Sequence, residues 1–369
     1  MKHGVTTFIA HRPLSGDVTR DRNPTRRACG NRLRVTPGAG KQALPHAGNR
    51  RQDFFVSLLL SFIFFVPLRD VSAAGPPSGP IWLVSSRTDT GHQQVVNAFI
   101  QRIRAAQPPQ PEIVFLDVNS TPVLPELNKD HGRPVLIVTV GSPAARLVQP
   151  APADVPVLDV LIPRLLFEEL HSGKNGAPMR SALYIDQPFE RQLDLCNLII
   201  SDLHRIAVLY GPASQSSAGA LQAAAHRAGI ELISQRLSAG SNPNAALDEV
   251  LDTTQLLLAL PDTEVFNRYT VAGLLLTAYH HDIPVIGFSR AYVNAGALAA
   301  VYSSATQIGR DAADMVLAAH TAGWNLPAPR YPASFSVAVN RQVAQSLGLK
   351  LREEDDLQQA LVRQEETTP

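Results

Sequence analysis

The sequence predicts an α/β protein made of two doubly wound, parallel-sheet lobes. Short, continuous apolar runs recur from residue 79 onward, as strands covered on both faces require. Amphipathic stretches of helical length separate them, which is the rhythm of βαβ units. The alternation runs through one series, closes near residues 181–187 and starts again; two series in tandem make two lobes.

The elements follow in order. "IWLVSS" (81–86) reads as a strand, and "GHQQVVNAFIQRIRAAQ" (91–107) as a helix with Val95, Phe99, Ile103 and Ala106 on one face. "EIVFLDV" (112–118) is a strand, "VLPELNK" a short helix, and "PVLIVTVGS" (134–142) a strand ending in Gly-Ser. "AARLVQ", "VPVLDVLIP" and "LLFEELHSG" continue as helix, strand and helix before "SALYIDQ" (181–187). The second series is "PFERQLDLCNLII", "RIAVLYG" (205–211), "SSAGALQAAAHRAG", "IELISQRL", "NPNAALDEVLDT", "QLLLALPD" (255–262), "TVAGLLLTAYHHD" and "IPVIGFS".

The N-terminal head differs. Residues 1–74 hold 12 Lys/Arg and 4 Asp/Glu, a net of +8, whereas residues 75–369 hold 21 and 28, a net of −7. Residues 1–52 show no sustained apolar period and read as a disordered basic head. The apolar core "FFVSLLLSFIFFV" (54–66) is too short to span a bilayer, which takes about 20 residues. With Arg50 and Arg51 before it and Ala73 and Ala74 after it, the 53–74 stretch reads as a secretory signal peptide. Signal peptides begin close to their charged region, so translation is expected to start near residue 50 at a non-ATG codon, making the head a start-site artefact. N-terminal sequencing of the natural precursor tests that expectation.

An acidic body excludes nucleic acid as the main partner, because phosphate contacts need clustered Lys and Arg. "TPGAGKQ" (36–42) lacks the first Gly and the Ser/Thr of a phosphate loop, and no strand precedes it. Cys196, alone after the leader, lies among apolar residues and reads as a buried thiol. The sequence calls for no metal and no cofactor. His280-His281-Asp282 reads as a solvated helix end, since adjacent residues cannot share a helix face. The acidic run Glu353–Asp356 opens a stretch (352–369) that reads as a solvated polar tail.

The apolar runs stop at polar or small residues: Ser85-Ser86, Gly141-Ser142, Tyr210-Gly211, Pro261-Asp262 and Ser289-Arg290. In open parallel sheets that edge is where ligands bind. Lobes facing each other across these edges would share a cleft.

Two longer stretches then carry a resemblance: "DIPVIGFSRAYVNAGALAAVYSSATQIGRDAADMVLAAHTAG" (282–323) and "SFSVAVNRQVAQSLGLKL" (334–351). With "VTVGSPAA" (138–145) and "RIAVLYGPAS", they resemble the ABC transporter substrate-binding protein family that includes tryptophan-type binders. The resemblance covers roughly residues 80–351. It implies a type I periplasmic-binding fold, with two lobes, a multi-stranded hinge and a ligand clamped between them. The expected first lobe is 79–183, with 300–323 packing back on it; the second is 184–299, with 330–351. It further implies a soluble, monomeric periplasmic protein that hands a small organic ligand, such as an amino acid, to an ABC-type permease. A receptor feeding a membrane sensor would use the same cleft.

Expected ligand-binding residues are Ser85, Ser86, Gly141, Ser142, Asp186, Gln187, Tyr210, Asp262, Ser289 and Tyr302. Asp186 and Gln187 stand where the chain should first cross between lobes. Tyr210, Tyr292 and Tyr302 could stack on a flat ligand or pack the hinge. Asp262 could bind an ammonium group or cap the following helix. Ser289 lies in "GFSRA", one residue short of a hydrolase nucleophile elbow. A triad would need Asp311 or Asp314 with His320, but all lie on one helix. Asp311 and His320 are then about 13 Å apart, and Asp314 and His320 about 9 Å on opposite sides. Ser289 therefore reads as a cleft residue, and the chain as a binding protein, not an enzyme.

Overall fold

Five parallel strands form one sheet and six mostly parallel strands a second, matching the two apolar series. The computed structural model describes residues 79–85, 89–117, 132–172, 179–238 and 240–367. The basic head, the signal-peptide stretch 53–74, the "VLPELNK" helix and Ser86 lie outside the described residues.

The first sheet contains β1 (Ile81–Ser85), β2 (Ile113–Asp117), β3 (Leu136–Val140), β4 (Val157–Ile162) and β5 (Arg180–Tyr184), ordered β2-β1-β3-β4-β5. Its strands alternate faces at period two. Ile81, Leu83, Leu136 and Val138 pack on Val95, Phe99 and Ile103 of helix α1 (Thr90–Arg104). Trp82, Val84, Ile137 and Val157 pack on Ala144 and Val148, at helix α2 (Ser142–Leu147) and its C-cap. Helix α3 (Arg164–His171) follows β4.

The second sheet contains β6 (Arg205–Tyr210), β7 (Glu231–Arg236), β8 (Leu256–Leu258), β9 (Val285–Gly287), β10 (Ala299–Tyr302) and β11 (Ser336–Val339). Its order is β11-β10-β9-β8-β6-β7, and β11 alone runs antiparallel to its neighbour. One face is covered by α4 (Phe189–Ile199) and α5 (Ala218–Arg227), the other by α6 (Pro243–Leu251) and α7 (Val271–His280). Short helix α8 (Arg290–Ala295) links β9 to β10. Cys196 is fully buried in this core, and burial pushes its thiol pKa up.

After β10 the chain leaves the second sheet. Helix α9 (Ala305–Thr321) places Ile308, Ala312, Met315 and Val316 in the core of the first sheet and crosses α1. Arg330 then pairs alongside Leu183 at the edge of β5 before the chain returns to form β11. The chain therefore passes between the lobes at 185–188, 303–304 and 331–335.

One expectation is corrected. The described part of the stretch 352–369, which ends at residue 367, is no solvated tail: after α10 (Arg341–Ser346), residues Glu354–Thr367 form helix α11. Leu357 and Leu361 on α11 are fully buried in the second-lobe core, an i,i+4 apolar pair masked by surrounding acids. The acidic run is also partly bound: Glu354 accepts from the Val339 amide at 2.9 Å and from Arg290 at 3.1 Å, and Glu353 pairs with Arg341.

Candidate functional site

The C-terminal ends of the first-sheet strands bring together Ser85, Gly141, Ser142 and the segment after β4. Register aligns Ser85 with both Asp117 and Val140 on adjacent strands. Gly141 takes φ 93°, which glycine tolerates at low cost. This turn starts α2 directly, with Pro143 in its first turn. Ser142 is partly exposed beside it, whereas Ser85 is buried.

Next to that turn, β4 carries a bulge: its pairing with β5 shifts between Val160 and Ile162, and Leu161 between them has φ 59°. Bulges of this kind re-aim the residues that follow. Here those are Pro163 and Arg164, at the same strand-end edge. The Arg164 amide donates to the Asp186 carboxylate at 2.6 Å, and its guanidinium pairs with Glu168 at 2.5 Å. Tyr184 meets Tyr331 edge-on at 5.3 Å between centroids and Phe167 at 5.9 Å. Burial pushes the Tyr184 hydroxyl up to about 12. Burial also raises the Asp186 carboxyl, against the pull of the Arg164 amide. Arg164, Tyr184 and Tyr331 were not singled out from the sequence. Arg164 follows an apolar run directly, so the strand-end rule that flagged Ser142 would have found it.

Gln187 faces the crossings. It is buried; its Nε2 donates to Ser303 Oγ at 2.9 Å and its Oε1 accepts from Arg191 at 2.6 Å. Ser303 donates to the Ser334 carbonyl at 2.6 Å, and Ser334 donates through N and Oγ to Asp311 at 2.9 and 2.6 Å. The three crossings are thus bonded to one another.

In the second lobe the residues divide. Tyr210 is buried in the core cluster, with its hydroxyl pushed by burial up to about 12. Asp262, 3% exposed, accepts from Ser214 N and Oγ, each at 2.8 Å, and from the Glu264 amide at 2.9 Å. It ties the loop after β6 to the turn after β8, whereas the following helix α7 has Thr270 at its N-cap. Tyr292 packs on Phe288 at 4.3 Å and donates to the Phe266 carbonyl at 2.8 Å. Tyr302 accepts from Arg290 at 2.7 Å, and Arg290 reaches on to Glu354 beside Val339. Val339 pairs with Ala299, three positions back along β10, so this chain of contacts runs away from the strand end. Ser289, at the end of β9, is partly exposed, and its side chain makes no capping bond.

The structure thus puts Ser85, Gly141, Ser142 and Asp186 on the first-lobe edge, with Gln187 at the adjoining crossing and Ser289 on the second-lobe edge. Tyr210 is packed in the core, and Asp262 and Tyr302 are engaged within the second lobe. A separate polar group lies under α2 on the outer face of the first sheet. There Asp159 accepts from Thr139 at 2.7 Å and pairs with Arg180 at 3.4 Å, an internal satisfaction of a buried charge. His281 pairs with Asp248 and Asp252 at the end of α7. Among the described residues, no cluster with metal-binding composition occurs and no helix is long and apolar enough to cross a membrane.

A profile of the family described as ABC transporter substrate binding protein matches residues 123–360, more than half of the chain. No curated protein sequence matches. Among solved structures, a ligand-free, open substrate-binding protein with adhesive properties from Clostridium difficile aligns with TM-score 0.62 and 16% identity, covering 75% of this chain and 97% of that one. A conserved domain protein from Vibrio cholerae aligns with TM-score 0.52 and 18% identity, covering 78% and 98%. An ABC domain from Streptococcus pneumonia in complex with L-Trp aligns with TM-score 0.51 and 16% identity, covering 75% and 97%.

Proposed function

Because this chain belongs to the ABC transporter substrate-binding protein family, we propose that it captures a small organic molecule between its lobes and delivers it to an ABC-type membrane permease. The observation that carries the reading is the threefold passage of the chain between two sheets, at 185–188, 303–304 and 331–335, beside their strand-end edges. Segments that short can absorb a hinge motion while each lobe keeps its own core. A ligand that touches both lobes only when they close stabilises the closed state by those differential contacts.

In this reading the first lobe offers Ser142, the Gly141 turn, Arg164 and Asp186, and the second offers Ser289. Arg164 suits a ligand carboxylate, and Asp186 an ammonium group, which together describe an amino acid or a close relative. The solved relative that holds L-Trp makes aromatic amino acids the first compounds to test. The protein would act outside the cytoplasm, exported by the 53–74 leader. Hydrolysis at Ser289 has no support: Asp311 is bound to Ser334, and Asp314 pairs with Arg102 at 2.7 Å, so neither acid is placed for His320.

A thermal-shift screen of the purified protein against amino acids and related metabolites tests the proposal. A compound that raises the melting temperature in a saturable way supports it. If no small metabolite does so, while ester substrates are hydrolysed and Ser289→Ala abolishes the activity, the proposal fails.

A further inference from the structure

The hydrogen bonds at the three crossings extend in both directions, and their two ends lie in different lobes. At one end is Asp311 on α9, a helix built into the core of the first lobe. From there the contacts pass through Ser334, Ser303 and Gln187 to Arg191 on α4. Arg191 is almost fully buried, and its guanidinium serves four partners. Nη1 donates to Gln187 and to the Pro332 carbonyl at 3.2 Å, and the plane lies 4.0 Å from the centre of the Phe335 ring. The remaining edge, Nε and Nη2, is taken by both carboxylate oxygens of Glu365, at 2.5 and 3.0 Å.

Glu365 stands in the last turns of α11, which the second-lobe core holds through Leu357 and Leu361. It is the only carboxylate among the described residues that pairs with Arg191. A two-pronged carboxylate–guanidinium contact fixes the rotation of the guanidinium plane as well as its position. Rotating that plane would break its bonds to Gln187 in the first crossing and to Pro332 and Phe335 in the third.

We propose that Glu365 is a positioning residue for the hinge: by locking the Arg191 guanidinium, the C-terminal helix sets how freely all three crossings move. Among the described residues Glu365 bonds Arg191 and no strand-end residue, so this role is separate from ligand contact. It rests on the hinge reading of the crossings but not on the identity of any ligand.

The test uses ligand-free protein and hydrogen exchange read by mass spectrometry. Glu365→Gln keeps one acceptor oxygen and, at a half-exposed site, leaves the α11 core contacts in place; Glu366→Gln, on the exposed neighbour, is the control. In Glu365→Gln, amides in the crossings and next to them, including Ser334 and Arg330, should exchange roughly threefold to tenfold faster, as expected for losing one charge-assisted bond. Lobe-core amides and the Glu366→Gln control should be unchanged. Arg191→Lys, which keeps the charge but not the fork, should speed the same amides. If Glu365→Gln accelerates only the amides of α11 and leaves residues 330–336 and 303–304 at the wild-type rate, the proposal is overturned. Equal acceleration by Glu366→Gln overturns it too.

Discussion

A methyl group on Gly309 would stand 2.4 Å from the carbonyl oxygen of Val95 and 2.9 Å from the Ala98 Cβ. That approach is how α9, arriving late in the chain, is seated against α1 in the first-lobe core. Both obstructing atoms belong to the backbone or its first carbon, so no side-chain rotation relieves the clash. Gly309→Ala should therefore push the helices apart and cost about 1–3 kcal/mol. Exposed Gly219 in α5 has nothing within 4 Å. Gly219→Ala should instead stabilise by about 0.5–1 kcal/mol through helix propensity. Thermal unfolding of the two variants should move the melting temperature in opposite directions; a neutral Gly309→Ala would mean the helices do not pack this closely.

Asp262 invites a different test, because its carboxylate already has three donors. Asp262→Ala leaves the buried Ser214 amide without an acceptor, a loss of about 1–3 kcal/mol. The expected outcome is a lower melting temperature in ligand-free protein, with any weakening of ligand binding following from it. An unchanged melting temperature together with a tenfold loss of affinity would make Asp262 a ligand acid after all.

The contrast between Gly309 and Asp262 bears on what the sequence can reveal. Continuous apolar runs such as 81–85 and 136–140 announce buried parallel strands because every residue of them must avoid water. The end of each run marks the strand-end edge by the same logic, which is why the placing of Ser142 and Ser289 at that edge was legible. The hinge was not. Gln187 and Ser303 are 116 residues apart, and Arg191 and Glu365 are 174 apart; no local period links them. The Tyr302 contacts were not legible either: its hydroxyl accepts from Arg290, which reaches on to Glu354, 52 residues beyond Tyr302 in the chain. Helix α11 escaped because two buried leucines among acids leave only one narrow stripe.

Asp186 gives a pH prediction. Burial raises its folded pKa above the ordinary 3.8. The folded protein then holds a proton that the unfolded chain releases, so stability is lost as pH rises from about 4 through the raised value. Asp186→Asn keeps an oxygen for the Arg164 amide and removes that loss. Without ligand, the variant should be more stable than wild type near neutral pH, and the advantage should shrink as pH falls toward about 4. Parallel melting-temperature curves against pH would show that folding leaves the Asp186 pKa unshifted.

A ligand held between the lobes would join the two strand-end edges. A ligand present at 100 times its dissociation constant adds about 2.7 kcal/mol of stability if it binds only the folded protein. Stability alone does not distinguish a ligand held between lobes from one seated on a single lobe. Closure does, because it draws the lobes together and reduces the radius of gyration in small-angle scattering. Ser142 and Arg164 on the first lobe and Ser289 on the second should therefore each affect affinity. Ser142→Ala and Ser289→Ala should each weaken binding by about 1 kcal/mol, the worth of one hydrogen bond, and Arg164→Ala by more, about 1.5–3 kcal/mol for a bond to a charged group. Ser142→Ala and Ser289→Ala should leave the melting temperature of ligand-free protein unchanged, since both side chains are partly exposed at the start of a short helix. The compound that stabilises the protein should shrink it, and the variants of both lobes should respond. A tight compound that leaves the radius unchanged and answers to Ser142 and Arg164 but not to Ser289 would place the ligand on the first lobe alone and end the closure mechanism.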